Sequence, residues 1–106
     1  MQVLIKPGVV LKEVNSPFLH MCYAAWFIYR EYGLTPTLTS ANDSKHMAGS
    51  LHYTNHAWDL RIWGLRDVEE VATKLRNLLN AKAHDYDVVV EGDHLHIEYD
   101  PKEAKP

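Results

Sequence analysis

Seven histidines stand in this chain, and four of them fall in two short clusters, His52/His56 and His94/His96. The second cluster has the spacing i, i+2 inside HLHIEY, which alternates as a strand does. On a strand that spacing sends both imidazoles to one face, with Glu98 beside them and Leu95, Ile97 and Tyr99 on the other. Two protonated imidazoles side by side repel. Zinc takes neutral imidazole nitrogens at about 2.0–2.1 Å and would remove that repulsion; two exposed histidines on a hairpin strand are the plainer reading. The first cluster adds a carboxylate. In SLHYTNHAWDLR, His52 and Asp59 flank a short turn, and Asp59 lies between Trp58 and Leu60. A carboxylate among bulky apolar neighbours needs a partner. Arg61 on the same strand face is one candidate, and a metal ion is the other. A His-Asp-His set leaves one tetrahedral position for water, the pattern of catalytic rather than structural zinc.

The elements that must position these groups are legible in coarse outline. Asn15-Ser16-Pro17 reads as a helix start, a capping side chain followed by proline in the first turn. Phe18 to Tyr32 then runs to Gly33 as C-terminal cap. Apolar residues cover most of that helix's circumference, so it is expected to be largely buried, with Cys22 in the core. Leu34 to Ser40 reads as a strand with Pro36 near its start, and Ala41 to Ser50 as a loop. His56 to Ile62 reads as a strand with Ala57, Asp59 and Arg61 on one face and Trp58, Leu60 and Ile62 on the other. A second helix opens at Asp67. Its apolar stripe is Val68, Val71, Ala72, Leu75, Leu78 and Leu79. Tyr86 to Glu91 and His94 to Tyr99 read as a hairpin about the tight turn Gly92-Asp93. The order predicts an α+β fold, a small antiparallel sheet packed with two main helices. Residues 1–100 form one domain, and 101–106 a frayed tail.

The sequence resembles a known family at these same residues. The D-alanyl-D-alanine carboxypeptidase and L-alanyl-D-glutamate peptidase family, phage endolysins included, carries S-x-H-x-x-G-x-A-x-D followed later by D/E-x-x-H. Its wider relatives, the lysostaphin-type enzymes and the hedgehog signalling domain, share a histidine, an aspartate seven residues later, and H-x-H. This chain has Ser50-Leu51-His52, then Ala57-Trp58-Asp59, then Asp93-His94-Leu95-His96. The resemblance runs roughly from Thr37 to Asp100. It implies a hedgehog/DD-peptidase-like fold with zinc held by His52, Asp59 and His96. By the same resemblance Asp93 is the catalytic carboxylate, and His94 hydrogen-bonds the oxyanion. Glu91, three residues before His94, offers a second E-x-x-H register. Glu98 is either an orienting partner of a ligand histidine or a solvated carboxylate. His56 either fixes Asp59 or sits at the surface, and His46 and His84 are given no role.

Two positions depart from the family pattern. Asn55 stands where the family has glycine, and asparagine also tolerates a left-handed backbone. In TSANDSKH, the residues Ala41, Asn42 and Asp43 occupy the stretch where the family carries an arginine that helps position substrate. Lys45 is the nearest cation there, and Ser50 and Lys45 are the expected substrate-binding residues.

The functional expectation is a zinc-dependent hydrolase, a metallopeptidase cutting an amide bond in bacterial peptidoglycan peptides during cell-wall degradation. A non-catalytic zinc-binding homologue and a phage structural or interaction protein are the alternatives. Composition agrees with a globular chain. Of 106 residues 46% are hydrophobic and 24% charged, which excludes disorder. A net charge of −3 with no basic run argues against nucleic acid as partner. The single cysteine excludes an internal disulfide. Pro7 and Gly8 break the apolar start that a signal peptide would need, and Phe18 to Tyr29 is too short to span a bilayer. No membrane partner and synthesis in the cytoplasm are therefore expected. Release to the cell wall by a phage lysis system, or carriage in a virion, follows from the family resemblance.

Overall fold

A computed structural model describes residues 1–41 and 56–101. The hairpin fixes the centre of the fold. Strand β4 (Tyr86–Glu91) turns through Gly92 and Asp93 into β5 (His94–Tyr99), and Glu91 faces His94 as the closing pair. Gly92 takes a φ of 40° in this two-residue turn, where a residue with a Cβ is disfavoured. Strand β3 (Ala57–Arg61) pairs antiparallel with β5, placing Asp59 opposite His96 and Arg61 opposite His94. β2 (Thr37–Ser40) lies antiparallel beside β3, with a register shift between Leu38 and Ser40.

The sequence pattern predicts a purely antiparallel sheet, and the observed sheet is mixed. A two-residue strand, β1 (Leu4–Ile5), joins the outer side of β2 in parallel and gives the order β1-β2-β3-β5-β4. The amide of Leu4 donates to the Pro36 carbonyl and that of Lys6 to the Leu38 carbonyl, both at 2.9 Å. Two residues are too few to show an alternating pattern, and their partner lies more than thirty positions away.

Helix α1 (Ser16–Tyr29) starts where its capping chemistry dictates. Asn15 Oδ1 accepts the Phe18 amide at 3.0 Å. A 3-10 turn (Arg30–Tyr32) carries the helix to Gly33, whose φ of 71° closes it in the left-handed region. Helix α2 (Val68–Leu79) is capped by Asp67, whose Oδ1 accepts the Glu70 amide at 3.0 Å. Val71, Ala72, Leu75 and Leu79 are buried, with Val68 and Leu78 packed at the margin. These residues join Phe18, Met21, Cys22, Ala25 and Ile28 of α1 and Leu38, Trp58, Leu60, Leu95 and Ile97 of the sheet in one core. The helices thus cover one sheet face. The other carries Thr39, Asp59, Arg61, His94, His96 and Glu98, the alternate residues of the same strands.

Candidate functional site

Pairing in register brings the chemistry together on the sheet face opposite the two helices. The Asp59 and His96 positions are direct cross-strand partners, and His96 Nδ1 lies 2.9 Å from Asp59 Oδ1. The other ring nitrogen, Nε2, lies 2.7 Å from Glu98 Oε1, two residues along the same strand. A carboxylate thus meets the imidazole on either side. Both side chains of the Asp59–His96 pair are largely enclosed, at 14% and 13% exposure, so their attraction is only partly screened by water. The hydrogen bond to Asp59 lifts the His96 pKa most, burial opposes, and Glu98 adds to the rise, leaving it at about 9. The surroundings therefore favour positive charge at His96 well above neutral pH.

His94 stands one register pair away. Its Nδ1 lies 2.9 Å from Asp93 Oδ1, while Nε2 lies 3.2 Å from Glu91 Oε1 and 3.6 Å from Asp59 Oδ1. Burial lowers its pKa, but the hydrogen bond with Asp93 and the charges of Asp59 and Glu91 outweigh it, so the net shift is upward. Asp93 sits in the hairpin turn with 94% of its side chain exposed. Its pKa is lowered, first by the hydrogen bond with His94, and it is a carboxylate at neutral pH. A single Asp59 oxygen faces both imidazoles, and each imidazole has further carboxylates behind it.

Sequence reasoning thus places Asp59, His94, His96 and Asp93 in one cluster, and the structure does the same. His52, Ser50 and Lys45 lie outside the described residues, as does His46. Arg61, the alternative partner of Asp59, instead lays its guanidinium over the Trp63 ring, 3.8 Å from the centroid. His56 does not reach toward Asp59; its ring meets Tyr99 edge-on at 5.6 Å. Glu98 meets His96 at Nε2, and Glu91 reaches His94 at 3.2 Å, which brings together the two ends of the E-x-x-H register. Lys6 and Trp63 border the cluster in a cavity of about 210 Å³ that Asp59, Arg61, Asp93 and His94 also line. Neither is singled out by sequence. Lys6 arrives only through the parallel pairing of β1, and Trp63 follows the end of β3 without any motif.

The donor set suits a divalent ion in part. Tetrahedral zinc with bonds of about 2.0–2.1 Å sets adjacent donor atoms about 3.3 Å apart, a few tenths wider than the 2.9 Å between Asp59 and His96. Glu98 on the far nitrogen of His96 gives the carboxylate–histidine arrangement that orients metal-bound imidazoles. Among the described residues no group of three His, Cys, Asp or Glu side chains is arranged around a metal position. Two of the three expected ligands meet there. Comparison of the chain with protein-family models, with curated proteins and with solved structures finds no match. No helix among the described residues is long and apolar enough to cross a membrane.

Proposed function

We propose that this chain is a zinc-dependent peptidase acting on an amide bond of peptidoglycan peptides, with the ion held by His52, Asp59 and His96. The observation that carries the reading is the enclosed Asp59–His96 pair at 2.9 Å with Glu98 behind it. The resemblance of the motifs around these residues to the DD-peptidase and hedgehog-type proteins supports it further.

Zinc bound here would supply Lewis acidity toward a carbonyl and lower the pKa of a coordinated water to about 7. The chain's own residues then have distinct tasks. Glu98 holds His96 by Nε2 and so presents Nδ1 to the ion beside Asp59. Asp93, ionised at neutral pH, accepts the proton of the attacking water and returns it to the leaving amine. His94, anchored by Asp93 at Nδ1, presents its Nε2 proton to the oxygen on which negative charge develops. A phage-encoded lysis enzyme or a virion-associated enzyme would fit this activity.

A second reading follows from the exposure of Asp93. A general base with 94% of its side chain in solvent is poorly shielded, which favours a zinc site that binds or stabilises without turnover. Metal analysis of wild type and His52→Ala, with mass spectrometry of digested peptidoglycan, separates the two. One zinc per wild-type chain, its loss in the variant, and a defined cleavage product that Asp93→Asn abolishes are expected for the peptidase. Full zinc occupancy with intact muropeptides supports the binding-only reading. A wild-type protein without metal affinity overturns both.

A further inference from the structure

Helix α1 is apolar around most of its circumference, and the core of the domain covers about half of it. Phe18, Met21, Cys22, Ala25 and Ile28 face that core. At about 100° per residue, Leu19, Tyr23, Trp26, Phe27 and Arg30 fall on the opposite side, with Tyr23 at the centre of the stripe. Leu19 is 53% and Tyr23 49% exposed, Arg30 is exposed, and Trp26 and Phe27 are half-buried. The rings touch along the helix, Tyr23 with Trp26 at 5.8 Å and with Phe27 at 6.0 Å between centroids. The Arg30 guanidinium lies 5.3 Å from the Trp26 ring and 4.5 Å from that of Phe27, which holds a positive charge at the C-terminal end of the stripe. The other end carries the opposite charge. Glu13 Oε1 accepts from Nδ2 of the capping residue Asn15 at 3.4 Å, so an exposed carboxylate stands at the helix N-terminus.

We propose that two copies of this chain associate through this face of α1, the helices antiparallel about Tyr23, with Arg30 of each copy beside Glu13 of the other. Counting outward from Tyr23 in both directions sets Leu19 of one helix against Phe27 of the second, and Arg30 against Ser16, one turn from Glu13. The stripe is thus its own complement, as a two-fold interface requires. Each end of the pair brings a guanidinium and a carboxylate together, so the charge match occurs twice. An anionic lipid surface or a nucleic acid fits less well, because the stripe has a single cation and the chain a net charge of −3. A helix of this length spans about 21 Å, and one face of it buries less than the roughly 800 Å² a side of a standard interface, which makes the dimer a micromolar one. The stripe lies on the helix side of the sheet, away from Asp59 and His96, so the inference does not rest on the peptidase reading.

The test is sedimentation velocity of the full chain from about 1 to about 200 μM, a range that brackets micromolar association. The mass is expected to rise from monomer to dimer across it. Tyr23→Ser, at the two-fold centre, should stay monomeric throughout with unchanged circular dichroism. Arg30→Glu and Glu13→Arg should each weaken dimerisation about tenfold, since two symmetric contacts turn repulsive at once, and the double variant should recover it. Lys12 adjoins Glu13 and is also exposed, which is why the charges are exchanged rather than removed. Both exchanged positions are exposed, so this arm stands even where Tyr23→Ser disturbs the helix. A monomer at the highest concentration, a dimer indifferent to Tyr23→Ser, or a charge exchange without recovery overturns the proposal. Binding of a monomeric wild type to phosphatidylglycerol vesicles, abolished by Tyr23→Ser, would assign the face to a lipid surface and overturns it equally.

Discussion

His96 is held at both nitrogens by carboxylates that differ in purpose. Asp59 comes from the neighbouring strand and Glu98 from its own, so replacing Glu98 leaves the cross-strand pair in place while freeing the ring to rotate. Glu98→Gln is expected to lower zinc affinity about 10- to 100-fold without changing the fold, measured by chelator competition. A variant with wild-type affinity would show that Glu98 is a bystander. Cys22 offers a separate check on the core. Burial raises its thiol pKa to about 11, so the thiol stays neutral at ordinary pH. Because the folded-state pKa exceeds the unfolded value, the neutral thiol favours the fold fully below about pH 9, and that contribution fades as pH rises through about 11. Urea titrations should show stability falling over that interval more steeply in wild type than in Cys22→Ala. Equal slopes would place the thiol in contact with water.

At the level of elements, the hairpin and both helices can be read from sequence because each is signalled locally. The alternation in HLHIEY predicts that His94, His96 and Glu98 share a face, and the pairing of β5 with β3 realises it. The capping residues Asn15 and Asp67 mark both helix starts. What sequence does not announce depends on distant partners or on side-chain rotamers: the parallel strand β1, and the way His94 gathers Glu91 and Asp93. The Asp59–His96 pair is legible because strand faces follow from counting by two. The hold on the free edge of β4 is also invisible in sequence. Asn80, the residue that caps α2, accepts the Tyr86 amide and donates to the Tyr86 carbonyl, each at 2.9 Å. Arg76 donates to the Val88 carbonyl at 2.6 Å. These contacts occupy backbone groups that another strand could otherwise pair with. Asn80→Ala should cost about 1–3 kcal/mol and quicken hydrogen exchange at the Tyr86 amide. Unchanged exchange there would argue that the clamp adds nothing.

Across the whole molecule, one sheet separates two environments. Trp58 and Asp59 are neighbours in sequence, yet the indole is fully buried beneath the helices while the carboxylate faces the histidines. Among the described residues the Trp58 Nε1 atom has no hydrogen-bond partner, so volume rather than polarity keeps the indole there. Trp58→Ala is expected to destabilise by about 3–5 kcal/mol, seen as a lowered Tm, and to weaken zinc binding by loosening β3. A stable variant with intact metal affinity would uncouple the two faces.

The pairing of β1 with β2 has a practical corollary for anyone handling the protein. Clipping off Met1 to Lys6 would strip β2 of its outer neighbour and delete an ammonium group from the rim of the cavity beside His94 in one cut. An affinity handle fused ahead of Met1 would join the chain a few residues before Lys6, so binding measurements on such a fusion would report on the handle as well as on the protein.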